Sequence, residues 1–202
     1  NWDFTSIGSG ALALQPGIRY TMLTSLQSSA SANLKGDGDK IIASEKSRYS
    51  NHLLDIPVNV KYSYEFVPGS LKAYVFAGPV FSFGLAANNV DYTKLNMTVD
   101  GETTQSYEYE KYNSYSGKYT WKKYNQETKK IDTETGKDDA YKVYNAFDLK
   151  LGLGAGVTIC EDVDIRFGYN FGLLNRSFIK NLNSEKYSAH SNIMYFGVAY
   201  NF

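Results

Sequence analysis

The chain has 202 residues, and its 21 Lys and Arg are balanced by 21 Asp and Glu, so the formal net charge is zero. That balance argues against a nucleic-acid binder, which shows a basic excess or patch, and no apolar run approaches the length of a membrane-crossing helix. Eighteen Tyr and eleven Phe are many for an ordinary globular domain and normal where rings sit at both interfaces of a membrane.

Residues 1–5 (NWDFT) read as the tail of a strand, with Trp2 and Phe4 on one face, and a small-residue turn follows over 6–10. In 11–22 (ALALQPGIRYTM), Leu12, Leu14, Pro16, Ile18, Tyr20 and Met22 alternate with Ala11, Ala13, Gln15, Gly17, Arg19 and Thr21. Strand side chains point to opposite faces in turn, so this stretch has one apolar and one mixed face. Residues 24–50 are rich in Ser, Lys, Asp and Gly, with Gly36, Asp37, Gly38 and Asp39 in a row, and read as a long loop. Residues 52–66 alternate again, Leu54, Ile56, Val58, Val60, Tyr62, Tyr64 and Phe66 opposing Asp55, Pro57, Asn59, Lys61, Ser63 and Glu65. Pro68 and Gly69 mark a tight turn. Residues 71–87 continue the alternation, with Val75, Phe81, Phe83 and Leu85 on one face and Lys72, Tyr74, Phe76, Val80 and Ser82 on the other.

Residues 88–145 are polar, rich in tyrosine and without sustained aliphatic periodicity, and read as one long extracellular loop. A structureless loop that long is unusual inside a compact domain. A hairpin of 105–112 with 118–125 around 113–117 fits its sequence, as does a second turn at 135–137. Residues 147–175 form the clearest hairpin. Its first arm sets Phe147, Leu149, Leu151 and Leu153 against Asp148, Lys150, Gly152 and Gly154, and its second sets Val163, Ile165, Phe167 and Tyr169 against Asp162, Asp164, Arg166 and Gly168. Cys160, the only cysteine, sits in the turn between the arms, so no intramolecular disulfide forms. After a polar loop at 176–191 the chain closes with IMYFGVAYNF, where Met194, Phe196, Val198, Tyr200 and Phe202 share a face.

Tight turns at 6–10, 67–70 and 160–162 alternate with long connections at 24–50, 88–145 and 176–191. Short turns on one side and long loops on the other are the pattern of an antiparallel transmembrane β-barrel, with lipid against the apolar faces and a polar lumen. Six full strands plus the stub at 1–5 are visible, and about eight close the smallest common barrels. Because an open edge in lipid leaves backbone groups unpaired, a partner strand is expected ahead of the stub. The whole of 1–202 reads as one barrel domain.

The segments LQPGIRY (14–20), IPVNVKY (56–62), AYVFAGPVFSFGL (73–85), DIRFGYNFGLLN (164–175) and GVAYNF (197–202), in this order, resemble the outer-membrane β-barrel family of Bacteroidota, the PorT-like group. The resemblance implies an eight-stranded barrel, made as a signal-peptide precursor and residing as an integral protein in the outer membrane of a Gram-negative bacterium. It implies that the terminal Val198, Tyr200 and Phe202 are read by the barrel assembly machinery. It does not imply one function, although some members belong to secretion systems.

By parity the lumen carries Arg19, Lys61, Lys72, Lys150 and Arg166 against Asp55, Glu65, Asp148, Asp162 and Asp164. Five charges of each sign read as a compensated interior network, since buried charges must be paired and a narrow barrel is filled by its side chains. A narrow channel or a conduit for a small hydrophobic ligand is the alternative. Catalysis by a lipid-modifying barrel needs a nucleophile and a base. Here His190 and Ser191 are adjacent and point to opposite faces, so no catalytic residues are assigned. No metal or cofactor motif stands out. The functional candidate is the aromatic run Tyr107, Tyr109, Tyr112, Tyr115, Tyr119, Trp121 and Tyr124, interleaved with Lys and Glu. Such rings give contact area at low entropic cost. The expected partners are outer-membrane lipid and lipopolysaccharide and a protein of an outer-membrane complex, with no nucleic acid.

Overall fold

The computed structural model describes residues 2–7, 10–35, 40–100, 102–179 and 187–200. Asn1, Gly8, Ser9, the run 36–39 and Phe202, all invoked above, lie outside the described residues. The strands are β1 (Trp2–Ile7), β2 (Gly10–Pro16), β3 (Arg19–Lys35), β4 (Lys40–Val67), β5 (Leu71–Val99) and β6 (Glu102–Asn113). They continue as β7 (Lys118–Asn125), β8 (Lys130–Lys137), β9 (Phe147–Ile159), β10 (Val163–Gly172) and β11 (Ile193–Tyr200). One 3-10 turn at Asp139–Tyr141 is the single helical element among the described residues.

All eleven strands belong to one sheet. β1 pairs with β2, β2 and β3 with β4, and β4 with β5. β5 is shared along its length: Leu71 to Phe83 pair with β9, and Asn88 to Val99 pair with β6. From β9 the sheet runs to β10 and β11, and from β6 to β7 and β8. The chain divides into two compact units. One takes the described residues of 1–21, 53–83 and 146–202, and the other those of 22–52 and 84–145.

The first unit contains the stub and the six strands expected from the alternation. Its turns are tight for local reasons. Ser70 N–H donates to the Val67 carbonyl at 2.9 Å, with Gly69 at φ 67°, where a side chain is disfavoured. At the other hairpin Asp162 N–H donates to the Ile159 carbonyl at 3.2 Å, with Cys160 and Glu161 both at positive φ. Two central residues of positive φ match the right-handed twist of the flanking strands.

Burial in this unit is the reverse of a water-soluble protein. Asp55, Asp148 and Lys150 have no exposed surface, and Asn170 and Ser82 have 1% each. Val75, Leu151, Leu153, Phe167 and Phe196 point the other way and are exposed. Charged residues are rarely buried without partners and large apolar patches are rarely exposed in a soluble monomer. Polar inside and apolar outside is the arrangement of a sheet wrapped by lipid. Tyr74, Phe76 and Val80 are buried on the polar face, which places the Lys72–Ser82 side of β5 inward as its parity suggested.

Two expectations about connections are corrected. Residues 24–50 are not a loop: β3 runs to Lys35 and β4 begins at Lys40, so the two form a long hairpin. Residues 88–145 are likewise mostly strand, comprising the end of β5 and all of β6, β7 and β8. The hairpin of 105–112 with 118–125 is present as β6 and β7, but residues 135–137 lie within β8 rather than in a turn. Eleven strands among the described residues therefore stand where six full strands and a stub were expected, within the same all-β antiparallel class. Among the described residues β1 pairs only with β2 and β11 only with β10, so the sheet is not closed.

Candidate functional site

Two groups of residues stand out, one in each unit. In the first unit the polar face of the sheet gathers ion pairs. Asp55 on β4 accepts from Arg19 at 3.0 Å, from the Thr21 hydroxyl at 3.4 Å and from Lys150 Nζ at 3.3 Å. Lys150 also donates to the Ser82 hydroxyl at 3.0 Å. Asp148, two residues along β9, faces the positive charges of Arg176 and Lys150, and among the described residues its carboxylate accepts no side-chain hydrogen bond. A second cluster lies nearer the tight turns. The Tyr74 hydroxyl donates to Asp164 at 2.6 Å, and the Arg166 guanidinium forks onto the same carboxylate. Lys61 Nζ sits 3.8 Å from the centre of the Tyr74 ring, and Arg19 lies 4.4 Å from that of Tyr195.

The structure thus brings together Arg19, Asp55 and Lys150 in one cluster and Lys61, Asp164 and Arg166 in another. Two expected members lie at the tight turns. Asp162 is exposed within the Cys160 turn, and Glu65 caps the other turn by accepting from Gly69 N–H at 2.8 Å. Lys72 lines, with Lys61, Glu65 and Arg166, a polar cavity of about 210 Å³ beside those turns. Tyr74, Ser82 and Arg176 were missed. The first two sit at inward parity on β5, a signal that was available, whereas Arg176 follows the end of β10 where no alternation exists.

In the second unit the aromatic residues fall on three-stranded β6–β7–β8. Tyr112 lies opposite Tyr119, Glu110 opposite Trp121, and Tyr109 opposite Lys122. Tyr119 is in turn opposite Gly136, and Trp121 opposite Glu134. Alternation then separates the candidates. Tyr107, Tyr109 and Tyr124 share one face, and Tyr112, Tyr119 and Trp121 share the other. On the second face the rings are stapled by carboxylates: Trp121 Nε1 donates to Glu108 at 2.9 Å and the Tyr119 hydroxyl to Glu134 at 2.7 Å. The Tyr141 ring stacks beside both Tyr112 and Tyr119, at 5.0 and 5.2 Å between centres. Its hydrogen bond to Glu110, with some burial, pushes the Tyr141 hydroxyl up to about 12.

Tyr115 is the exception in this set. It is 8% exposed, donates to Asn51 at 2.7 Å and lies over Gly84, where a Cβ would strike its ring. It anchors the turn between β6 and β7 and offers little surface to a partner. That turn is further held by Asn113, whose side-chain oxygen accepts from Tyr115 and Ser116 N–H at 3.0 and 3.1 Å. At the end of the chain Val198 and Tyr200 are exposed on the same face of β11 as Met194 and Phe196.

A family model described as outer membrane protein beta-barrel domain matches residues 5–177 of the chain. Searches of curated proteins and of solved structures returned no match.

Proposed function

We propose, for a chain that belongs to the outer membrane protein beta-barrel domain family, a non-enzymatic barrel integral to a Gram-negative outer membrane, whose tyrosine-rich strands bind or scaffold a surface or secretion-system partner. The observation that carries this reading is the division of labour between the units. The polar face of the first is filled by ion pairs around Asp55 and Asp164 and by buried Phe76 and Val80. Side chains paired in this way fill a small barrel and leave the bound partner to another region. Strands β6 to β8 carry instead six of the rings singled out, on an extended sheet with almost no aliphatic side chains, where Tyr and Trp serve contact better than packing.

Membership of the PorT-like group is proposed on the order of the five segments quoted above. Contact with lipopolysaccharide and recognition of Val198 and Tyr200 by the barrel assembly machinery follow from residence in the outer membrane. The partner reading is tested by affinity isolation of the intact protein from its outer membrane beside a variant lacking residues 105–125. The variant is expected to remain folded, judged by heat-modifiable gel mobility, and to lose what co-isolates with the intact chain. Retention of every co-isolated component by a folded variant would overturn the reading.

A further inference from the structure

We propose that one face of the β5–β8 sheet is a binding surface for an acidic polysaccharide, a proposal that rests on β6–β8 being the partner-binding region. The registers fix the faces. Tyr92 lies opposite Tyr109, Tyr109 opposite Lys122, and Lys122 opposite Thr133. Val90, Lys111, Thr120 and Thr135 form the neighbouring row. All three registers run without a bulge, so simple alternation assigns every side chain between them.

The outcome is that every acid falls on one face. Lys94, Lys111, Lys118, Lys122 and Lys137 fall on this face, and among the described residues of these paired stretches no Asp or Glu does. The opposite face holds Asp91, Glu102, Glu108, Glu110, Asp132 and Glu134 against Lys123 and Lys130. A chain of zero net charge has therefore built a basic sheet face backed by an acidic one.

The two faces differ again in how their charges are met. Acids of the second face are held by neighbours on it, Glu108 by Trp121, Glu134 by Tyr119, and Asp132 by Asn125 at 2.8 Å. On the basic face Lys118 lies directly opposite Lys137. Like charges opposite each other across strands destabilise a sheet, and an anion lying between them would reverse that cost. Lys122 Nζ lies 5.7 Å from the centre of the Tyr109 ring, and the Tyr92 and Tyr107 rings meet edge to face at 5.3 Å.

The shape selects the class of anion. Four strands span about 14 Å across, and Tyr107 to Lys111 covers about 14 Å along the strand. Charge spread over so wide and open a face suits an extended polymer bearing a regular negative group. Tyr rings offer flat π faces to the C–H side of sugar rings, and Gln105, Thr120, Thr133 and Thr135 on the same face offer partners for hydroxyl groups.

The test uses the full chain in nanodiscs of zwitterionic phospholipid, titrated with fluorescent polygalacturonate and, separately, with neutral dextran. Polygalacturonate is expected to bind with an affinity that falls steeply as salt is raised from about 50 to about 500 mM, and dextran is not. Replacing Lys94, Lys111 and Lys122 together by Gln should weaken binding roughly tenfold or more, whereas Lys123→Gln with Lys130→Gln on the other face should stay within about twofold. Tyr107→Ala with Tyr109→Ala should weaken binding without changing its salt dependence. Equal losses from the two lysine variants, no binding of polygalacturonate, or stronger binding of polyglutamate or of anionic phospholipid vesicles would overturn the proposal. If polygalacturonate fails to bind while deletion of 105–125 still removes a co-isolated partner, the ligand class falls and the partner-binding reading stands.

Discussion

Asp55 is buried in the protein wall, and Arg19, Thr21 and Lys150 all direct donors at its two oxygens. Removing that carboxylate strands two cations at once. Asp55→Ala should therefore destabilise the protein by about 3–5 kcal/mol, the cost of an uncompensated buried charge. Lys150→Met leaves Asp55 with Arg19 and Thr21 and should cost less than roughly half as much. Urea unfolding of both variants in lipid vesicles checks the order, and a Lys150→Met variant as damaged as Asp55→Ala would contradict it. Parity alone made Arg19, Asp55 and Lys150 visible in the sequence, because a strand gives every second residue the same surroundings. Parity did not reveal Tyr115 as a buried anchor, since a turn has no period to read. Tyr141 gives a second prediction at this scale. Its hydroxyl, ordinarily near 10, is pushed up to about 12 by the hydrogen bond to Glu110. A raised folded value means that the neutral phenol is the form the fold favours, so its contribution is complete below pH 10 and fades as pH rises from 10 to about 12. Ultraviolet titration of phenolate should show a late-titrating group that disappears in Tyr141→Phe, and an unchanged titration curve would refute the assignment.

At the scale of elements, β9 and β10 were legible because lipid demands one apolar face and the polar interior forbids it on the other. The same rule hid β3, the start of β4 and β6 to β8. Those strands carry polar residues on both faces, so hydropathy does not alternate along them. Charged and ring-bearing positions do: Glu108 and Glu110 alternate with Tyr107, Tyr109 and Lys111, so the acids fall on one face and the rings and the lysine on the other. Period-two charge was the available signal for a strand in that stretch. The turn joining β9 and β10 yields a further test. Cys160 holds φ 50° and Glu161 φ 63°, a conformation that costs side chains other than Gly and Asn. Cys160 is exposed and its thiol is free. Cys160→Asn should therefore stabilise the hairpin by about 0.5–1 kcal/mol. A lowered unfolding midpoint for that variant would show that the thiol makes a contact worth more than the relief of backbone strain.

For the molecule as a whole, the apolar wall is the claim on which membrane residence depends, and it can be tested at one position. Leu153 is the central residue of β9, lies opposite Ala77 and Tyr169, and is 42% exposed on the apolar face. In a protein surrounded by water, replacing so exposed a leucine by arginine changes stability by no more than about 0.5 kcal/mol. In a wall surrounded by lipid the guanidinium must sit in hydrocarbon or draw water inward, at a cost of about 2–4 kcal/mol near the bilayer centre. Phe196 and Val198 on β11 share that face, and cations placed closer to either interface should cost less, down to about 0–1 kcal/mol. Urea unfolding of Leu153→Arg in phospholipid vesicles distinguishes the two surroundings directly. A loss of several kilocalories with the Arg166 side of the sheet unaffected is the expected result. A stability equal to that of the unsubstituted chain would mean that water, and not lipid, covers the exposed face.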